Sequence, residues 1–312
     1  MNNAILIYNP VAGRRPARRE KEIRQAAALL EDSGVRVTLA RTSGPGDACE
    51  LARDAASQGA RMVLVCGGDG TINEVINGLA PGETTLGILP GGTANIIAKE
   101  LGLPHDPVRG ARQLPHWRPR RIPLGLAAWS ADATGGANPR NAAGVEHRYF
   151  MSVAGVGFDA YVVHRLSSRF KMSWGVIAYG LEAVRQALRH SFPVFNCQLD
   201  GRTLAATFAV IQRTRVYAGW LHLAPRARFF EPEFQVCAFK SRSYARYFLY
   251  AGAVFARRHL RLRDVELVVA PKVACSAAVP GSRIHFELDG EHVAELPATF
   301  EIVPEALTLL VP

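Results

Sequence analysis

Up to residue 122 the apolar positions fall into short continuous runs separated by stretches of helical period. Residues 4–8 form the first run and a glycine loop follows it; a helix is predicted over 16–33. Ile23, Ala27 and Leu30 share one face of that helix, and Gly34 ends it. The next strand is expected at 35–40, a helix at 47–58, and a third strand at 62–66 leading into Gly67-Gly68-Asp69-Gly70. A helix starts near Thr71, a short strand follows at 85–89, and another glycine turn opens a helix over 94–101. Thr93 is its expected N-cap, and Gly102 with Pro104 closes it. Strands alternating with helices of this length pair in parallel, so a three-layer α/β domain over 1–122 is expected.

Past residue 122 the pattern changes. Residues 112–121 are basic and interrupted by proline, which reads as a boundary, and 129–145 are rich in Ala, Gly and Asn, which reads as a flexible loop. Apart from one helix at 174–190, the remainder is short alternating segments at 195–199, 203–212, 233–239, 264–270, 283–288 and 291–296. Short strands between turn signals imply a β-rich, sandwich-like domain over 123–297. A length of 312 residues accommodates two such domains. With 48% hydrophobic and 21% charged residues, the composition excludes a disordered chain.

Charge narrows the partners. Lys+Arg number 37 against 27 Asp+Glu, a net +10, and only Lys21, Lys99, Lys171, Lys240 and Lys272 are lysines. Such an excess suits phosphate on nucleic acid, on an anionic membrane or on a nucleotide, although codon bias also enriches arginine in an Ala- and Gly-rich chain. No nucleic-acid-binding motif appears, so nucleic acid is not an expected partner. The five cysteines, Cys49, Cys66, Cys197, Cys237 and Cys275, form no C-x-x-C. That argues against a zinc ribbon or a disulfide framework and makes a reducing cytoplasm the expected compartment. The N-terminus lacks a basic segment and its apolar run stops at Asn9-Pro10, so it reads as a strand and not a signal peptide. No run approaches the roughly 18 apolar residues of a membrane span. The longest, 247–256, is short and flanked by arginine. Any membrane is therefore expected to be met at its surface, peripherally and from its inner face. A homodimer is compatible with the sequence.

The strongest chemical signal is Gly67-Gly68-Asp69-Gly70-Thr71-Ile72-Asn73-Glu74, placed between a strand and a helix. Glycines there let backbone amides approach phosphate, and the helix N-terminus adds its dipole. Asp69 would repel an anion unless it serves Mg²⁺ or an acceptor hydroxyl; the bland alternative is a helix cap. Pro90-Gly91-Gly92-Thr93-Ala94-Asn95 and Asn9-Pro10-Val11-Ala12-Gly13 repeat the arrangement after two other strands. In an open parallel sheet three such loops gather at the carboxyl edge. No Gly-Lys dipeptide occurs, which excludes a Walker A loop. Gly155-Val156-Gly157-Phe158-Asp159-Ala160 matches G-x-G-x-x-A, but the acid at the right distance, Glu182, lies in a helical pattern. Asp289-Gly290 and Asp200-Gly201 read as two-residue hairpin turns, with His285 and His292 as ordinary strand residues.

Taken together, these segments resemble the diacylglycerol kinase catalytic-domain family, which includes sphingosine kinases and bacterial lipid kinases. The matching residues are Asn9-Pro10-x-x-Gly13, Thr42, Gly67 to Glu74, Pro90 to Asn95, Ala154 to Ala160 and Asp289-Gly290-Glu291. The resemblance implies a phosphofructokinase-like nucleotide domain, a β-sandwich that holds a diacylglycerol- or sphingoid-like lipid, and a return of 298–312 to the first domain. It implies ATP and Mg²⁺, with Asn9, Thr42, Gly67, Gly68, Asp69, Gly70, Thr71, Ile72, Asn73, Glu74, Gly92, Thr93 and Asn95 at the nucleotide. Asp69 would stand by the metal, Asp289 or Glu291 would be the general base, and Asp159 would meet the lipid substrate. Arg165 and Lys171 are candidate phosphate contacts, and Arg257, Arg258, Arg261 and Arg263 a bilayer-facing rim. The alternatives are an NAD kinase-like phosphotransferase and a catalytically silent binding protein. Two departures stand out: Ser152 replaces a usual Asn, and Pro225-Arg226-Ala227-Arg228-Phe229-Phe230-Glu231-Pro232 replaces a Pro-x-Ala…Asp-Gly segment that binds a structural Mg²⁺ in relatives. Glu231 is the residue there that would take the aspartate's place.

Overall fold

The structure, a computed structural model, describes residues 2–13, 16–130, 144–158, 160–161, 191–217 and 221–312. The chain divides into two compact units, Met1–Leu124 with Val303–Pro312, and Gly125–Ile302.

In the first unit, β1 (Asn2–Tyr8), β2 (Val35–Arg41), β3 (Met62–Gly67) and β4 (Thr85–Pro90) form a parallel sheet in the order β2-β1-β3-β4. Helices α1 (Pro16–Asp32), α2 (Asp47–Ser57), α3 (Asp69–Leu79), α4 (Ile96–Leu101) and α5 (Pro107–Gln113) alternate with the strands or follow β4. Helix α1 packs on α5 and α2 on α3, and β3 and β4 are buried from their second residue onward. Continuous burial of this kind marks strands covered on both faces. The register sets Tyr8 beside Cys66 and Gly67 beside Pro90, so the loops leaving β1, β3 and β4 start from one edge. The last strand, β16 (Ala298–Val311), lays Thr308 and Leu309 parallel to Thr85 and Leu86 of β4.

The second unit is an antiparallel sandwich. One sheet runs β12 (Val265–Ala270), β11 (Phe234–Phe239), β10 (Phe208–Gln212), β7 (Val153–Gly157), β14 (His285–Leu288) and β15 (Glu291–Glu295). The other holds β8 (Phe195–Leu199), β9 (Arg202–Ala206), β13 (Lys272–Ala277) and the opening of β16. The strand β5 (Arg118–Ser130) pairs with β6 (Val145–Phe150). Phe150 stacks on Phe234 at 5.6 Å, and Phe286 meets Phe300 edge-on at 5.6 Å, joining residues of both sheets in one core.

Several expectations need correction. Residues 112–121, expected as a boundary, lie just before the division between the units at Leu124 and carry structure of their own: Arg118 opens β5, and Arg121 Nη1 donates to Gly82 O (2.7 Å) within the first unit. Helix α5 was hidden by its proline, yet Asp106 accepts from Val108 N at 2.8 Å and Pro107 occupies the first turn, a proper helix start. The run 203–212 is two strands that change sheets at Thr207, whose hydroxyl donates to Ser241 O at 2.7 Å. An additional helix, α6 (Tyr244–Phe255), stands where only strands were expected; Tyr247, Tyr250 and Val254 give it a helical stripe. The strand β13 was not anticipated. Gly155 and Gly157 lie in β7 between two antiparallel neighbours, which removes the dinucleotide reading. Asp159, Arg165, Lys171, the helix at 174–190 and most of the loop at 129–145 (131–143) lie outside the described residues.

Candidate functional site

Three loops of the first unit are tied to one another by main-chain and side-chain bonds. Asn9 N donates to Cys66 O (3.0 Å), and its Nδ2 reaches Thr71 Oγ1 at 3.3 Å. Gly91 N donates to Gly67 O (2.9 Å), and Ile96 N donates to Asp69 Oδ1 (2.8 Å). Asp69 thus opens α3 and at the same time caps α4, joining the second and third loops through one carboxylate. Thr93 is exposed and is not the cap; α4 begins only at Ile96, with Asn95 before it at φ 48° and its Oδ1 accepting from Gly92 N. The expected Thr93 N-cap is therefore replaced by a carboxylate from another loop.

Close approach explains the glycines. A Cβ on Gly92 would sit 2.4 Å from Gly68 Cα, and one on Gly67 would sit 2.5 Å from Thr71 Cβ. Gly92→Ala is expected to push the two loops apart at a cost of about 1–3 kcal/mol, raising the KM for ATP roughly tenfold or more. Gly44→Ala, which meets open space, is the control. An ATP titration that leaves both variants at the wild-type KM contradicts the loops' assigned role.

The other candidates here divide by position. Thr42 is buried at the end of β2, its N–H bonded to Tyr8 O (3.0 Å), close in register to Asn9. Gly70 and Thr71 stand in the first turn of α3. Ile72 and Asn73 lie on that helix's buried face, and Glu74 Oε2 accepts from Ala48 N (3.2 Å) at the start of α2. All three are placed to support α3. One residue that the sequence reading missed is Arg19. It is 6% exposed, and its Nη2 donates to Gly91 O (2.6 Å) and Ala12 O (3.2 Å), setting a fixed cation beneath the loops. Its signal was present, since Arg19 precedes Ile23, Ala26, Ala27 and Leu30 on the buried stripe of α1. Cys66 lies beside it, but burial pushes its thiol up to about 12, so no thiolate nucleophile is available there.

The donor set bears on a divalent ion. Asp69 is one carboxylate already holding an amide, and among the described residues no group of three or more His, Cys, Asp or Glu could hold a metal. One carboxylate beside a glycine cradle fits Mg²⁺ that arrives on a nucleotide's phosphates, which leave most of its sites to water and phosphate oxygen. The 225–232 segment does not fit a structural ion. Glu231 is exposed and pairs with Arg228 at 3.9 Å, and Phe229 O already accepts from a guanidinium.

That guanidinium belongs to Arg213, fully buried and the second residue that the sequence reading missed. It stands behind the turn between β14 and β15, where Asp289 (φ 50°) and Gly290 (φ 86°) make the expected hairpin. The Asp289 carboxylate accepts from Met151 N (2.8 Å), Ser152 N (2.8 Å) and Val153 N (3.0 Å). On the other side of the same peptides, Arg213 Nη1 donates to Met151 O (3.1 Å) and Arg213 N to Ser152 O (2.9 Å). One peptide, Met151–Ser152, therefore stands between the guanidinium and the carboxylate, and a second, Ser152–Val153, between the Arg213 main-chain N–H and the same carboxylate, each polarised in the sense that strengthens its bond to Asp289. Ser152 serves through its backbone, so the loss of an Asn side chain there leaves this arrangement intact. Burial pushes the Asp289 carboxyl above its ordinary value, against the pull of the three amides and of Arg148. Burial likewise brings Arg213 down to about 9, opposed by Asp289, so it stays charged at neutral pH. Glu291 is more exposed and holds Arg148 Nη2 at 2.6 Å.

Comparison with known proteins agrees with this geometry. The family model for the diacylglycerol kinase catalytic domain matches residues 3–127, and that for the YegS C-terminal NAD kinase beta sandwich-like domain matches 152–311. The chain belongs to the diacylglycerol kinase catalytic-domain family. It is accordingly an ATP-dependent kinase of the lipid-kinase class. Among its relatives, a diacylglycerol kinase of Bacillus subtilis is 27% identical over 304 residues, covering 96% of this chain and 93% of that one. A diacylglycerol kinase of Mycobacterium tuberculosis is 28% identical over 309 residues, covering 98% and 94%. A crystal structure of a diacylglycerol kinase from Bacillus anthracis superposes with a TM-score of 0.72 at 19% identity, covering 100% of this chain and 97% of that one. That likeness supports the fold, an α/β unit followed by a β-sandwich.

Proposed function

We propose that this kinase transfers the γ-phosphoryl group of ATP to a hydroxyl of a diacylglycerol- or sphingoid-like lipid at a membrane surface. The observation that carries the reading is Asp289, a carboxylate fixed by three consecutive amides at a hairpin turn of the β-sandwich unit. A fixed carboxylate is the group required to take a proton from an alcohol as its oxygen attacks phosphorus. Burial makes this carboxyl more basic than a free aspartate, and the amides keep it aimed. The oxygen–phosphorus bond forms as the bond to ADP breaks, and the proton goes to Asp289. In the other unit, the amides of Gly67 to Gly70 at the start of α3, with Asn9, Thr71 and Asn95 around them, hold the phosphates, and Asp69 would hold the Mg²⁺. That ion, when bound, neutralises charge on the transferred group. Arg19 keeps the loops closed on one another from below.

The test is transfer from labelled ATP with Mg²⁺ to a panel of diacylglycerols, monoacylglycerols and sphingoid bases in mixed micelles, with NAD⁺ as a separate acceptor. Label in a lipid phosphate supports the reading. Label in NADP⁺ with none in lipid overturns it, and label in neither returns the chain to a binding role.

A further inference from the structure

The geometry points to α6 as the element that seats this chain on an anionic bilayer, its solvent face entering the boundary between headgroups and acyl chains. This rests on the membrane-surface reading above and names the part of the chain that makes the contact.

Helix α6 has two faces of opposite fate but the same chemistry. Tyr247, Tyr250 and Val254 are buried; Tyr247 stacks on Phe192 at 4.0 Å and meets Phe158 at 5.1 Å, and Tyr250 meets Phe239 at 4.9 Å. The other face carries Tyr244, Phe248 and Leu249, which are 57%, 42% and 46% exposed. Ala245, Ala251 and Gly252 lie exposed among them. The one charged residue of the helix, Arg246, is committed to Asp264 through bonds of 2.6 Å from Nε and from Nη2. The solvent face of α6 therefore presents no charged side chain. A helix packed on a globular core puts polar residues outward, and a contiguous apolar face left to solvent marks a contact surface.

The rim of that face identifies the occupant. Arg242 precedes the helix, and Arg257, Arg258, Arg261 and Arg263 follow it, all exposed, with Leu260 extending the apolar face among them. From 241 to 263 the sequence contains no Asp or Glu. Apolar side chains ringed by one sign of charge complement a bilayer whose anionic headgroups lie above its acyl chains. A second copy docking by the same face would set one arginine rim against the other. Twelve residues are too few to span, so the helix lies in the interface.

The experiment uses the full chain and sucrose-loaded vesicles of equal parts phosphatidylglycerol and phosphatidylcholine, beside vesicles of phosphatidylcholine alone. The variant carries Tyr244→Ser, Phe248→Ser and Leu249→Ser together. Wild type is expected to sediment with the anionic vesicles and to be partly released by salt, and the variant to lose about tenfold or more in partitioning. The variant should keep the wild-type thermal midpoint and its transfer to a short-chain diacylglycerol in detergent micelles. Equal vesicle binding by both proteins overturns the role of α6 and leaves the membrane-surface reading standing. Failure of wild type to bind anionic vesicles overturns that reading and the inference with it. A dimer that the triple variant converts to monomer, with vesicle binding unchanged, assigns the face to a second copy and overturns the inference.

Discussion

Asp289→Asn is expected to lower kcat by about 10²- to 10⁴-fold, the range that a positioned base supplies, with the KM for ATP near its wild-type value. Asparagine tolerates the left-handed φ of 50° at this turn and is a favoured residue there, so the hairpin survives. Its Oδ1 still accepts from Ser152 N and Val153 N. Its amide group now faces Met151 N, donor against donor, at a cost of about 1–3 kcal/mol in stability. The glycine loops proposed to hold ATP belong to the other unit and keep their own bonds, so the KM for ATP is expected to be insensitive. The pH profile supplies the second readout. A base must lose its proton first, so kcat/KM rises with pH through the Asp289 pKa, and burial places that limb above the ordinary carboxylate value of 3.8. The charged groups that bear on it are Arg213 behind the turn, Arg148 and Glu291 paired beside it, and buried Glu287, whose Oε2 accepts from Gly290 N at 2.6 Å. In the Asn variant the acid limb disappears. Glu291→Gln breaks only the partly exposed pair with Arg148, worth less than about 1 kcal/mol, and is expected to change kcat less than about threefold. The reverse ranking of the two variants reassigns the base to Glu291.

Much of the fold could be read before the structure because local signals agreed with the global arrangement. Runs such as Val63 to Cys66 are buried on both faces of a parallel sheet, and Gly34 and Gly102 end helices by adopting positive φ. The failures share a cause: apolar or basic residues whose meaning depends on distant partners. Apart from Arg246, the segment from Tyr244 to Phe255 carries no charge on either face, so its periodicity is faint until the exposed face is known. The strand that begins at Arg118 was not visible because the acceptors of Arg121, Gly82 and Thr308 at 3.3 Å, lie far away in sequence. The candidate site was legible where glycine is demanded by close backbones, as at Gly67 and Gly92, and where Asp-Gly makes a turn. Its supports were not. Asp69 and Glu74 act as caps for helices other than their own, and the two buried arginines are set by carbonyls from loops that only the fold assembles. The hairpin reading and the catalytic reading of Asp289 also proved compatible, since the left-handed turn is what exposes its carboxylate to three successive amides.

Arg213→Met tests the most consequential of those supports. Removing one partner of a buried ionic arrangement typically costs about 3–5 kcal/mol, because the charge left behind is neither solvated nor paired. Here the loss also strips donors from Met151 O and Phe229 O, which are otherwise joined through one guanidinium. A structural role alone predicts only a lower thermal midpoint. A positioning role predicts more, because the Met151–Ser152 peptide polarised by the guanidinium is one of those that donate to Asp289. Without the cation the carboxylate is less favoured, so the Asp289 pKa rises and the acid limb of kcat/KM moves to higher pH. Arg213→Lys separates the two effects. It keeps the positive charge but not the reach to both carbonyls, so its limb should stay near the wild-type position while its thermal midpoint falls. Should the Met variant fold too poorly to assay, the Lys variant still decides the matter through the ratio of limb shift to lost stability. A Met variant that loses stability while its pH limb stays fixed reduces Arg213 to a packing residue. A limb shifted in Met and restored in Lys makes it the group that keeps the base ionised.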